Sequence, residues 1–271
     1  MKKAMMVILA LVLCCAAGTA PAEKKTEVVV FAAASLTEAL TEIKGMYEAA
    51  NPETGLVFNF DSSGTLKTQI QEGAECDVFI SAAQKQMNQL DLAADEEKNP
   101  ERLDFVLPGS RIDLLENRVA LVTPAGNPKD IRDFDGLAAA LKDREILMAM
   151  GNADVPVGQY TQKILAFYGL EEDALARNGK ITYGSNVKEV TTQVAEGTVD
   201  CGVVYSTDAF SAGLAVADTA TAEMCGQVIY PTAVMKNSAA ADAAQAFLDY
   251  LRGDEAMAVF ERIGVSPVRT E

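Results

Sequence analysis

The sequence predicts an α/β fold divided into two lobes. Three observations carry this. Strand and helix patterns alternate along nearly the whole chain, the rhythm of βαβ units and a largely parallel sheet. A unit of buried strand, small or hydroxyl-bearing turn, and helix recurs near the start. The opening strands, the middle strands and the C-terminal helices group separately, with no long linker between them, as two lobes joined by more than one crossing would.

The opening unit is the clearest. Val28-Val29-Val30-Phe31 is a continuous apolar run, the mark of a short strand buried on both faces. Three alanines and Ser35 follow. Leu36, Leu40 and Ile43 then recur at helical spacing, and Ser35-x-x-Glu38 has the form of a capping box. A hydroxyl and several free N–H groups therefore stand at the carboxyl end of a strand, where an anion can bind. The plainer reading is that Ser35 only caps its own helix.

The pattern repeats. Gly55 to Phe60 reads as a strand, running through Asp61-Ser62-Ser63-Gly64-Thr65 into a helix with Leu66 and Ile70. Gly64 permits close backbone approach. Cys76 to Ile80 is a third strand, followed by Ser81-x-x-Gln84 and a helix from Ala82 to about Leu90, where Ser81 reads as structural. Residues 91–102 form a polar surface connection, and Leu103–Leu107 a short apolar run closed by Pro108-Gly109. Arg118 to Thr123 is a strand ended by Pro124. A short helix over 135–142 and a buried strand over 146–150 come next. A Gly/Pro-rich loop then places Val157 and Gly158 at the start of a helix carrying Tyr160, Ile164 and Phe167 on one face. Ile181 to Gly184 is a brief strand, and Asn186-x-x-Glu189 a capping box that leaves the Val187 N–H unpaired. Cys201 to Tyr205 is a buried strand. Gln227 to Met235 is a strand interrupted by Pro231, and two amphipathic helices, 239–252 and 254–262, close the chain.

Composition bounds the function. Of 271 residues, 49% are hydrophobic and 23% charged, enough for a substantial core in a globular protein. The net charge of −16 makes nucleic acid and anionic membranes poor partners. Residues 1–22 read as a secretory signal peptide: Lys2 and Lys3, an apolar run from Ala4 to Ala17, and an Ala20-Pro21-Ala22 cleavage site. Its removal takes Lys2 and Lys3 with it and the net charge to −18. The product is exported to the periplasm or the outer side of the cell membrane. Cys14 and Cys15 offer a lipid-anchored alternative, against which stands Leu13, where a lipobox wants a small residue. Cys76, Cys201 and Cys225 remain, so one disulfide at most is open to the chain, the alternative being three buried thiols.

The chain has no histidine. That excludes a Ser-His-Asp triad, a His-ligated zinc site and a histidine base. No Walker A or G-x-G-x-x-G sequence occurs. The acidic clusters at 95–97 and 171–173 read as surface charge, and Lys67, Lys163 and Lys188 as solvated helix residues. What remains is a set of hydroxyls and amide donors at strand-to-helix turns, without a cation among them. Such dipolar donors suit a desolvated oxyanion that must later be released.

These residues resemble a known family, the periplasmic molybdate-binding proteins of ABC transporters. The resemblance rests on Phe31-Ala-Ala-Ala-Ser35-Leu-Thr, Asp61-Ser-Ser63-Gly-Thr-Leu, Asp77-Val-Phe-Ile-Ser81-Ala, Val155-Pro156-x-Gly158-x-Tyr160, Asn186-Val187 and Gly202-Val-Val-Tyr205-x-Thr-Asp208-Ala, and covers nearly all of the mature chain. It implies a two-lobed type II periplasmic-binding-protein fold with the ligand cleft between lobes 23–107 plus 231–271 and 108–230. It further implies a protein that captures molybdate, and tungstate with it, and delivers the anion to a membrane permease. By motif the ligand-binding residues are Ser35, Ser63 and Tyr205 through hydroxyls, and Val157 and Val187 through main-chain N–H, with Ala34 or Ser35 and Ser63 as further amide donors. They meet the metal only as molybdate, through its oxygens. The resemblance implies no cofactor, no catalytic residue, and action as a monomer. A binder of sulfate or another tetrahedral oxyanion is the nearest alternative, and an exported enzyme on the same fold a remote one.

Overall fold

The first strand pairs on both sides, as its apolar run requires. In a computed structural model, described over residues 25–143 and 145–268, β1 (Thr26–Ala33) lies between β2 (Thr54–Asp61) and β3 (Val78–Ile80), parallel to both. The expected signal peptide lies outside the described residues. A six-stranded sheet is completed by β4 (Ile112–Asn117), β10 (Val228–Val234) and β11 (Ser266–Pro267), in the order β11-β4-β10-β3-β1-β2. The second sheet has five strands in the order β7-β6-β8-β5-β9: β5 (Val119–Thr123), β6 (Met148–Gly151), β7 (Ile181–Gly184), β8 (Cys201–Tyr205) and β9 (Ala215–Thr219). Both sheets are mixed rather than largely parallel. Within each, three strands run parallel, and β10, β4 and β11 in the first and β5 and β9 in the second add antiparallel pairings.

The helices are α1 (Thr37–Ala50), α2 (Ser63–Gln71), α3 (Gln84–Asn88), α4 (Phe134–Asp143), α5 (Pro156–Phe167), α6 (Glu172–Arg177), α7 (Val187–Ala195), α8 (Ser206–Ser211), α9 (Ala222–Cys225), α10 (Ala241–Leu251) and α11 (Asp254–Arg262). Their apolar stripes cover the sheets. Ala39, Leu40, Ile43 and Tyr47 of α1 are buried at i, i+1, i+4 and i+8, and the larger ones contribute about 1.5–3 kcal/mol each by leaving water. Leu66 and Ile70 of α2 and Met87 of α3 pack with Phe31 and Phe79 on one face of the first sheet.

The sheet pairing moves the lobe boundaries. The expected cut at 107/108 assigns β4 to the second lobe, yet β4 pairs with β10 in the first sheet. The chain crosses between lobes at Asn117–Val119, and returns between Thr219 and Val228 rather than at 230/231. Two features hid this. Ile112–Asn117 mixes Asp113, Glu116 and Asn117 with its apolar residues, so no continuous run announces a strand. Pro231 does not interrupt β10 but sits at a register shift against β4, the irregularity where a ladder tolerates a residue without an N–H.

The three cysteines are buried and free, which leaves no disulfide among them.

Candidate functional site

Ser35 does not cap its helix. Ala34–Leu36 is a 3-10 turn ahead of α1, the N-cap position of α1 is Leu36, and no side chain caps it. The Thr37 hydroxyl takes the local role, donating to the Ala34 carbonyl at 2.7 Å. Ser35 is thereby released from helix duty and is 1% exposed. Its Oγ lies 2.9 Å from the hydroxyl of Tyr230, 195 positions away.

Ser63 opens α2, with Ser62 as the N-cap whose hydroxyl accepts from the Thr65 N–H. Ser63 Oγ accepts from the Ala82 N–H at 2.9 Å. The carbonyl of Ala82 in turn faces the Tyr205 hydroxyl of the second lobe at 3.5 Å. That distance is at the weak limit of a hydrogen bond, so the Tyr205 proton is easily redirected. One residue of the first lobe thus touches both a serine of its own lobe and the tyrosine opposite. Ser81 acts locally, as expected: its Oγ donates to the Ala83 carbonyl, but it does not cap α3, which is shorter than its expected span.

Val157 is the second residue of α5 and Val187 the first of α7. Helix geometry gives their N–H groups no intrahelical acceptor, nor that of Ser63 at the start of α2. Asn186 caps α7 as its spacing predicts, accepting from the Glu189 N–H at 3.1 Å. Glu189 does not close the box on Asn186; it binds the N–H and hydroxyl of Ser185. The entry to α5 needs Gly158, since a Cβ there would lie 2.3 Å from the carbonyl oxygens of Gly151 and Asn152.

Contacts join the elements that carry these residues. Tyr205 stacks edge-on with Tyr160 of α5, ring centroids 6.3 Å apart, and with Tyr230, at 5.8 Å. α7 packs against the 3-10 turn that holds Ser35. The lobes meet closely: a Cβ on Gly64 would come within 2.1 Å of the Asp154 carbonyl oxygen. The start of α2 therefore abuts the loop before α5. Ser35, Ser63, Val157, Val187 and Tyr205 are all buried, and the positive ends of α2, α5 and α7 supply the local field. Burial drives the pKa values of the Tyr205 and Tyr230 hydroxyls well above the ordinary tyrosine value, so both stay protonated donors.

Sequence reasoning missed several groups here. Lys188 is not simply solvated: its Nζ reaches Glu38 of α1 across the cleft at 2.8 Å and lies 3.5 Å from the buried carboxylate of Asp208. Lys163 bonds the Cys225 carbonyl and stands 5.1 Å from the Tyr160 ring centre. Tyr230 and Asn117 enter the site through contacts that no local pattern encodes. Only the irregular Tyr230-Pro231 step within a strand marked that point in the sequence.

A two-lobed α/β chain closed over a buried set of neutral donors defines a solute-binding protein. The chain belongs to the bacterial extracellular solute-binding proteins, whose family model matches residues 28–266. It is 35% identical over 248 residues to the molybdate-binding protein ModA of Haemophilus influenzae, covering 89% of this chain and 90% of that one. It is 32% identical over 244 residues to ModA of Escherichia coli, with 88% of each covered. A Bacillus subtilis protein named as an ABC transporter substrate-binding lipoprotein, YvgL, is 34% identical over 244 residues, 89% of this chain and 87% of that one. Among solved structures, the periplasmic molybdate-binding protein of Azotobacter vinelandii superposes with a TM-score of 0.74, at 23% identity over 90% of this chain and all of that one. The chain is therefore a solute-binding protein of an ABC transporter and not an enzyme. Among the described residues no helix is long and apolar enough to cross a membrane.

Proposed function

We propose that this protein captures molybdate, and tungstate through the same contacts, outside the cytoplasm and delivers it to a membrane permease. The observation that carries the reading is the donor set. Ser35, Ser63 and Tyr205 carry hydroxyls and Val157 and Val187 carry first-turn amides; all five are buried, and the turns that bear them come from both lobes. None of the five carries a formal charge. A fully ionised tetrahedral dianion fits such a site because it needs only donors, and donors fixed before binding cost little reorganisation. Closure excludes water, which strengthens each bond to the anion in a lower dielectric. With no salt bridge required to the ligand, opening the lobes releases it. The names of relatives at 32–35% identity support molybdate as the anion. The expected site of action is the periplasm or the outer face of the membrane, and YvgL's name supports a lipid-anchored form as the alternative.

The test is calorimetric titration with molybdate, tungstate, sulfate and phosphate. Molybdate and tungstate should bind at least about a hundredfold more tightly than sulfate, a difference of about 2.7 kcal/mol. Binding of sulfate alone would overturn the reading.

A further inference from the structure

Ser35 sits at the end of a buried hydrogen-bond chain that begins at the crossing between the lobes. Asn117, the last residue of β4, precedes the step into β5. Its Oδ1 accepts from the Arg118 N–H at 2.8 Å. An N–H can only donate, so this bond fixes which way the amide faces. The Nδ2 group then donates to the Tyr230 hydroxyl at 3.0 Å and to the Thr207 hydroxyl of the second lobe at 3.1 Å. Tyr230 is fully buried, and its oxygen lies 2.9 Å from Ser35 Oγ.

Two proton arrangements are open to the Tyr230–Ser35 pair. If Ser35 donated, the Tyr230 proton would be left buried with no acceptor, since Asn117 offers that oxygen only a donor. An unmet buried donor is costly. If Tyr230 donates, its hydroxyl is satisfied on both sides, and the Ser35 proton is free to point elsewhere. A phenol is also the better donor and an aliphatic alcohol the better acceptor. We infer that Tyr230, held by Asn117, is a positioning residue: it donates to Ser35 Oγ and thereby commits the Ser35 proton to the bound oxyanion. Each bond in such a chain polarises the next, so Ser35 becomes a stronger donor than an isolated serine. Ser63 is handled in the same way by the Ala82 N–H, which fills its acceptor side.

This inference rests on the proposed role of Ser35 as an anion ligand, and the experiment separates the two. Molybdate affinity is measured by calorimetry for the full-length mature protein and for Ser35→Ala, Tyr230→Phe and the double variant. Tyr230→Phe should weaken binding about tenfold in the parent and less than about twofold in the Ser35→Ala background. An unchanged affinity for Ser35→Ala would remove Ser35 from the site and end the reading on which the inference rests. If Ser35→Ala weakens binding but Tyr230→Phe does not, or if Tyr230→Phe costs the same in both backgrounds, the positioning role is overturned and Tyr230 is merely part of the packing. Should Tyr230→Phe fail to fold, Asn117→Asp replaces it. A carboxylate there accepts the Tyr230 proton and takes it from Ser35, so its cost too must shrink in the Ser35→Ala background. A cost equal in both backgrounds would reject the inference.

Discussion

Lys188 of α7 pairs with Glu38 of α1 across the mouth of the cleft, Nζ to carboxylate at 2.8 Å. Lys188 directly follows Val187, whose N–H is a candidate ligand donor, and Glu38 lies three residues after Ser35. The pair therefore ties the two lobes together beside the proposed anion site. Both side chains are partly exposed, at 30% and 49%, so the pair is screened by solvent and salt. Glu38→Gln should weaken molybdate binding by no more than about fivefold, about 1 kcal/mol, chiefly through a faster dissociation rate. Stopped-flow release at low and high salt checks this: the difference between parent and variant should vanish as salt rises.

Gly64 controls how closely the lobes approach. Its position allows no side chain, because the Asp154 carbonyl of the other lobe occupies that space. Gly64→Ala should fold normally, since the obstruction lies between lobes and not within either core. It should lose at least about tenfold in molybdate affinity, because a methyl group at that contact forces the lobes apart. Small-angle scattering with saturating molybdate should show a larger radius of gyration than the parent.

Ser63→Ala removes a hydroxyl that accepts from the Ala82 N–H and, in the proposed function, donates its own proton to the anion. We expect a loss of about 1–3 kcal/mol in molybdate binding, the cost of a missing bond to a charged acceptor plus an unpaired amide. Calorimetry that returned the parent affinity would take Ser63 out of the site.

Asp208 is fully buried, and its Oδ1 faces the Lys188 ammonium at 3.5 Å without a well-formed hydrogen bond. Burial pushes its pKa up to about 6, while Lys188 beside it, and the longer bond from Thr207, pull the other way and Glu38 adds to the rise. The folded value thus lies above the unfolded one near 3.8. The protein then holds an extra proton between those two values, and the penalty of the buried charge, absent below the lower value, is complete above about 6. Asp208→Asn should therefore gain stability relative to the parent as pH rises from about 4 to above 6, by on the order of 3 kcal/mol. Urea unfolding of both proteins without molybdate, across that range, checks the sign; a constant difference would show that Asp208 does not titrate there.

Much of the scaffold can be read locally. Val28–Phe31 is apolar without a break because β1 is paired on both sides and covered on both faces. Asn186 caps α7, and Gly64 marks a close approach, each for a reason confined to a few residues. The same local logic misled at Ser35, where a valid capping spacing is not used because the chain enters α1 through a 3-10 turn. Lys188 looked solvated because its partners Glu38 and Asp208 come from other elements. β4 was hidden by its charged residues, and with it the position of the first crossing.

The sequence by itself determined the alternation of strands and helices, the burial of β1, the first-turn amides of α2, α5 and α7, and the absence of histidine chemistry. Those follow from periodicity, capping and composition, which act over a few neighbouring residues. The tertiary structure decided what faces what: Tyr230 against Ser35, Asn117 against Tyr230 from 113 positions away, Ala82 between Ser63 and Tyr205, and Gly64 against Asp154. These contacts depend on strand order and on how the two lobes close, and neither is encoded in any single stretch of the chain.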